Sequence, residues 1–282
     1  MFAIGDIVVR KSYKGDIIFR IEQIIEKDNG QKVAVLKGIS TRLMADAPFE
    51  DLVLFEKITL EEQMKKLAEK EFQFLKKHLY KRGGKKAYRS SKQQEFFDVP
   101  GSVLHLDGDN DYLQKCLDAY QKLNIPVNGY WVPENEMPLK VTEYVLLHHP
   151  DIIVITGHDG LLKDKRDFKN IDNYRNSRYF AETVRAIRKI FPDKDETVIF
   201  AGACQSHYEA LIAAGANFAS SPQRILIHAF DPVFVVEKIA YTPFRENLPI
   251  TEVIAASISG AEGIGGVETR GKFRLGYPKS PY

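Results

Sequence analysis

Two segments of the chain end in a reactive side chain. Ile152-Ile153-Val154-Ile155-Thr156 runs into Gly157-His158-Asp159-Gly160, and Val198-Ile199-Phe200-Ala201 runs into Gly202-Ala203-Cys204-Gln205-Ser206. Each is an apolar strand that breaks into glycine and small residues. There the backbone can take positive φ and hold one side chain at the strand's exit. His158 and Cys204 are 46 positions apart, with room for one helix between them. On adjacent parallel strands both would stand on one edge of a sheet, where α/β proteins bind ligands. A thiolate is a strong nucleophile, and a neighbouring imidazole can take its proton and later protonate a leaving amine. The pair therefore points to acyl transfer, with Cys204 attacking and His158 moving protons. Cys204 is expected where a helix begins, whose positive end favours the thiolate. The N–H of Cys204 and one from the Gly157 to Gly160 loop form the expected oxyanion hole, with Gln205 beside them. This chemistry demands a thiol and an imidazole meeting at an accessible rim; the two groups on opposite sides of the molecule, or a sulfur sealed inside the packed interior, would overturn the assignment.

Other polar residues have plainer readings. Cys116 sits mid-helix among Leu113, Leu117 and Tyr120 and reads as core. His207 follows Cys204 by three positions, as a helical neighbour that points away from the strand-edge pocket. His148-His149 closes a helix, where its charge suits the helix dipole. His228 reads as packing, and the role of His105 stays open. Asp107-Gly108-Asp109-Asn110-Asp111 has the look of a calcium loop, but Tyr112 replaces the glycine needed at its sixth position and Asp118 the glutamate at its twelfth. It reads instead as a strand-to-helix turn capped by Asp109 or Asn110, on the same sheet edge as the proposed site. Gly260 to Gly266 lacks the ending of a phosphate loop and reads as a flexible turn. There is no Gly-x-Ser-x-Gly elbow of a serine hydrolase. No metal or organic cofactor is implied.

The elements that must position these residues form two parts. Residues 1 to about 57 carry short β-rich runs, Ile4 to Arg10, Asp16 to Ile21 and Lys32 to Lys37, with a hairpin signal at Asn29-Gly30. They read as a small SH3-like β-barrel. Residues 58–95 read as a helix and a basic linker. Thr59 and Glu62 have capping-box spacing, and eight basic residues with no acidic one lie between Lys76 and Lys92. From about residue 96 to 282, apolar strands alternate with helices, the pattern of a doubly wound, mostly parallel α/β sheet. Near-continuous apolar strands such as Asp151 to Thr156 are expected where helices cover both faces.

Composition narrows the function classes. The 282 residues are 44% hydrophobic and 28% charged, ordinary for a globular chain. The net charge is +2, from 40 basic and 38 acidic residues, too balanced for a whole-chain nucleic-acid binder. Two cysteines make no disulfide framework and suit a reducing cytoplasm. No apolar run reaches the roughly 20 residues of a membrane span, and no signal peptide is visible at the start.

The order histidine first, the spacing and Ala203-Cys204 resemble the caspase, gingipain and legumain class of cysteine peptidases, which carry His-Gly where this chain has His158-Asp159-Gly160. Gly5-Asp6-Ile7-Val8-Val9-Arg10-Lys11-Ser12-Tyr13, the Gly157-His158-Asp159-Gly160 loop and the Gly202-Ala203-Cys204-Gln205-Ser206 segment are similar to the YabG family of sporulation-specific peptidases, over essentially the whole chain. The resemblance implies a caspase-like α/β peptidase domain and a cysteine endopeptidase made in the mother-cell cytoplasm of a sporulating bacterium. It implies spore coat proteins as substrates and partners, with deposition on the coat. It also implies Cys204 as nucleophile and His158 as its partner. Caspase-like enzymes often read a charged residue before the cut. An acidic pocket built from Asp107, Asp109 or Asp159 would select Arg or Lys, which makes Arg82 and Arg89 self-cleavage points. Asp159 has a second reading, as a group that orients the imidazole. Amidotransferase-like chemistry fits less well, because those enzymes place cysteine before histidine. A non-enzymatic spore scaffold or RNA binder, using the barrel and linker, is the alternative from another class.

Overall fold

The computed structural model of the chain describes residues 2–27, 30–55, 62, 65–77, 79 and 96–280. Its contacts divide into two units, Met1–Arg89 and Ser90–Tyr282. In the first, β1 (Ile7–Arg10), β2 (Ile18–Glu26), β3 (Lys32–Gly38), β4 (Met44–Pro48) and β5 (Leu52–Leu54) make one antiparallel sheet in the order β4-β3-β2-β1-β5. Alternation along the strands turns Val8, Phe19, Ile21, Ala34, Leu36, Ala47 and Leu52 into one buried cluster. The Ser12 hydroxyl and the Arg10 guanidinium, both bonded to Asp51, hold its carboxyl down at about 2. Residues 65–77 are helical, here α1. Thr59, Asn29, Lys81 to Lys92 and both predicted self-cleavage arginines, Arg82 and Arg89, lie outside the described residues.

The second unit continues with β6 (Phe97–Val99), β7 (Val103–Asp107), α2 (Asn110–Lys122), β8 (Val127–Trp131), α3 (Met137–His148), β9 (Ile152–Thr156), α4 (Ser177–Ile190), β10 (Val198–Ala201), α5 (Tyr208–Ala214) and β11 (Phe218–Ser220). It ends with α6 (Asp231–Tyr241), β12 (Asn247–Leu248), α7 (Ile250–Ile254), α8 (Gly260–Gly263), β13 (Ile264–Gly266), β14 (Thr269–Arg270) and β15 (Arg274–Gly276). The main sheet has the order β13-β11-β10-β9-β7-β8. All neighbours in it are parallel except β13, which runs against β11. Leu104, Leu106, Ile153, Ile155, Ile199 and Ala201 face the apolar sides of α3, α4 and α5 in one core cluster. The alternate strand residues are also buried, and α2 and α6 pack on each other and on β7 and β9. Burial of successive residues on opposite faces is why these strands read as unbroken apolar runs.

The fold is therefore mixed α/β with a mostly parallel sheet. Gly260 to Gly266 is corrected: it is the short helix α8 followed by the strand β13, not a free turn. The glycines admit close pairing, since a Cβ on Gly266 would meet the Asn217 carbonyl oxygen at 2.3 Å. After β8 the chain steps back across β7 to form β9, so the sheet's winding direction reverses between β7 and β9. In open α/β sheets ligands bind beyond the carboxyl ends of the strands that flank such a reversal.

Candidate active site

His158 and Cys204 leave neighbouring strands at matching heights. Ile155 of β9 pairs with Ala201 of β10, and each reactive residue lies three positions beyond its member of that pair. Neighbouring strands run about 4.8 Å apart, so the two loops rise side by side. The Ser206 hydroxyl donates to Asp159 Oδ2 at 2.8 Å, and Gln205 Oε1 stands 3.2 Å from the position of a Cβ on Gly160. Gly202 (φ +107°) and Gln205 (φ +56°) both take left-handed backbone, and together they bend the chain around Cys204.

Three carboxylates define the histidine's surroundings. His158 Nε2 lies 2.8 Å from Asp109 Oδ2. Its amide donates to Glu134 Oε1 at 2.8 Å. The Tyr112 ring packs edge-on at 5.8 Å. His158 Nδ1 is buried with no hydrogen-bond partner. Asp109 is the cap of α2, accepting from the Asp111 and Tyr112 amides through Oδ1. Behind it, Asp107 Oδ1 accepts the Asp109 amide, and Asp107 Oδ2 accepts the Thr156 hydroxyl at 2.8 Å. His105 Nε2 joins the same buried group, 2.8 Å from Thr156 Oγ1.

Asp159 is turned inward. It accepts from Ser177, Ser206 and the Asn176 and Gly160 amides. Burial pushes its carboxyl above the ordinary range against the pull of those bonds. All three acids considered for a substrate pocket thus carry internal bonds: Asp107 is fully buried, and Asp109 and Asp159 nearly so. The Gly160 amide is likewise spent on the Asp159 carboxylate at 2.9 Å, and the His158 amide on Glu134.

Two expectations about Cys204 are corrected. Its thiol is not at an open rim: Cys204 exposes none of its surface. Residues 225–227 lie over it. The Ile227 amide donates to Sγ at 3.3 Å, Sγ lies 3.8 Å from the Ile227 carbonyl oxygen, and the Gln205 amide donates to the Ile225 carbonyl at 3.0 Å. Nor does Cys204 start a helix. The left-handed turn at Gln205 delays α5 to Tyr208, so the helix's positive end falls on its cap, His207. His207 accepts from the Ala210 amide and, through Nε2, meets the Lys169 carbonyl at 2.9 Å, occupied away from the thiol. Cys116 is buried in α2. His148 ends α3 with Nε2 2.6 Å from the Tyr130 hydroxyl, and the His228 amide donates to Asp231.

Glu134 escaped the sequence reading. It follows Trp131-Val132-Pro133 at the end of β8, so the signal available was its place beyond a strand's carboxyl end. Its carboxylate fills space that two glycines leave open. A Cβ on Gly108 would stand 2.2 Å from Glu134 Oε1, and one on Gly157 would stand 2.4 Å from it.

Parallel strands that bring a thiol, an imidazole and paired carboxylates beside a topological switch point are an arrangement that α/β enzymes use, and they make this the candidate site. A family model described as YabG peptidase U57 matches residues 3–278. The chain is 45% identical over 293 aligned positions to the sporulation-specific protease YabG of Bacillus subtilis (strain 168), covering 98% of each. The chain belongs to the YabG peptidase U57 family, and it is a peptidase. Among the described residues no helix is long and apolar enough to cross a membrane.

Gly157→Ala tests whether the Glu134 seat matters to that activity. The new methyl would push the Glu134 carboxylate off the His158 amide. We expect kcat/KM to fall about 10- to 100-fold, with circular dichroism unchanged, because small misplacements of reacting groups are costly. Wild-type kinetics in this variant would show that the seat is dispensable.

Proposed function

We propose that the chain is a cysteine endopeptidase that processes spore coat and related proteins during sporulation, in the cytoplasm of the mother cell. Cys204 is its nucleophile and His158 its general base and acid. The observation that carries this reading is the matched position of the two residues, each three steps past the paired Ile155 and Ala201 on adjacent parallel strands. The sporulation role and the protein substrates rest on the likeness to the sporulation-specific protease.

In this mechanism the Sγ proton passes to the His158 imidazole. The thiolate forms a bond to the scissile carbonyl carbon, and the amine leaves with the proton from the imidazolium. Water, deprotonated by the same imidazole, then cleaves the thioester and regenerates the thiol. The oxyanion donors are the Cys204 amide together with that of Gly157 or Asp159, since the Gly160 and His158 amides serve carboxylates. Residues 225–227 must move aside before a substrate carbonyl reaches Sγ. A bound peptide supplies backbone donors and acceptors to replace those of Ile225 and Ile227.

Alkylation tests the assignment directly. With iodoacetamide and a protein substrate present together, activity should decay in step with a carbamidomethyl group on Cys204, read by peptide mass mapping. Cys116, buried in α2, serves as internal control. Full activity with Cys204 fully alkylated would end the proposal.

A further inference from the structure

We propose that Asp109 is the positioning residue of His158: it holds the ring with the proton on Nε2, so that Nδ1 is the nitrogen that exchanges a proton with the substrate-attacking thiol. This rests on the reading of His158 and Cys204 as the working pair. A carboxylate has only acceptors, so the 2.8 Å contact of His158 Nε2 with Asp109 Oδ2 requires the hydrogen on Nε2. In the neutral ring that leaves Nδ1 as the lone-pair nitrogen. Nδ1 is also the ring atom that is buried and carries no hydrogen-bond partner. A buried polar atom without a partner is costly and rare, and a catalytic role is one explanation for it. When the ring takes up a second proton, the Asp109 charge faces the imidazolium and stabilises it.

The carboxylate is built to stay in place. Oδ1 accepts the Asp111 amide at 2.9 Å and the Tyr112 amide at 3.2 Å, which fixes its plane on the first turn of α2. The Asp109 amide is held by Asp107 Oδ1 at 2.9 Å, and Asp107 is in turn pinned by Thr156 at the end of β9. The strand that ends at Thr156 is the one that carries His158. Asp109 and His158 therefore face each other across the switch point between β7 and β9, each tied to the other's strand. Tyr112, one turn along α2, closes the ring's edge. One residue thus does two jobs with two oxygens, a helix cap and an imidazole anchor, and the jobs can be separated by chemistry.

Asp109→Asn separates them. Asparagine caps a helix as well as aspartate does, so Oδ1 can keep both amides and the fold should persist. Its NH2 group, turned toward Nε2, donates instead of accepting and favours the tautomer with hydrogen on Nδ1. We expect kcat to fall about 100- to 10,000-fold with KM within about threefold, because the wrong tautomer spoils chemistry and not binding. The full chain, labelled with 15N-histidine, gives a second readout that needs no turnover. The neutral His158 ring, assigned by subtraction in His158→Gln, should show its proton on Nε2 in the parent and on Nδ1 in Asp109→Asn. Cys204→Ala assayed alongside keeps the two ideas distinct. If Cys204→Ala is inactive but Asp109→Asn turns over at the parental kcat, or the parent ring carries its proton on Nδ1, the positioning role is wrong and the Cys–His reading stands. If Cys204→Ala retains full activity, the Cys–His reading itself has failed.

Discussion

Cys204→Ala is expected to slow cleavage of a protein substrate by about 1,000-fold to a million-fold, the range seen when a covalent nucleophile is removed. His158→Ala should land in the same range. The double variant should be no slower than either single one, because a thiol and the imidazole that ionises it act as a unit. Folding is not at risk. Two of the sulfur's contacts are with the backbone of Ile227, at 3.3 and 3.8 Å. Their loss should cost about 1 kcal/mol, which leaves the melting temperature within a few degrees of the parent. Cys116→Ala is the matched control. It removes an equally buried thiol, bonded to the Ala229 carbonyl at 3.5 Å, from a helix that does not carry the pair. It should keep full activity. Purified variants compared by initial rate and thermal melt make the measurement, and a Cys204→Ala protein that cleaves at the parental rate would refute the assignment.

The neighbouring placement of the strands that carry His158 and Cys204 was legible because parallel-sheet arithmetic is simple. Two apolar runs of similar length, separated by one helix's worth of residues, become neighbours, and whatever follows each at the same offset arrives at the same height. The helix that His148-His149 closes was legible from the proline that follows it, Pro150, which cannot continue a helix. What covers the thiol was not legible. Ile225-Leu226-Ile227 is a short apolar run between a strand and a helix, and periodicity cannot say whether such a run is strand, core loop or lid. The cap of α2 was narrowed to Asp109 or Asn110, and geometry chose Asp109. Its second bond, to His158, joins residues 49 positions apart. Nothing in local pattern reports a contact of that range. Glu134 was invisible for the same reason, since its role depends on empty space above Gly108 and Gly157 that appears only when three strand ends converge.

Asp159 carries the other large effect, and it is an effect on stability. Its carboxylate joins the histidine loop to the cysteine loop through Ser206 and both to the start of α4 through Asn176 and Ser177. Ser206 in turn accepts the Ala203 amide at 2.9 Å, next to the nucleophile, and Ser177 accepts the His207 amide at 2.8 Å. Asp159→Ala strips four donors of their acceptor in a buried place. We expect about 3 kcal/mol of lost stability by denaturant unfolding, with lower activity from loops no longer clipped together. Asp159→Asn isolates the charge from the shape. Burial raises the native carboxyl above its ordinary range. A group raised in this way contributes stability that is full below the unfolded pKa and is lost as pH climbs through the native value. Asparagine stays neutral throughout and has no such loss. The difference in unfolding free energy between Asp159→Asn and the parent should therefore move in favour of the variant as pH is raised from acid toward neutrality. Titrations common to both proteins cancel in that difference. A difference that is flat with pH, or that moves in favour of the parent, would show that the four donors outweigh burial and keep Asp159 ionised at no cost in the folded protein.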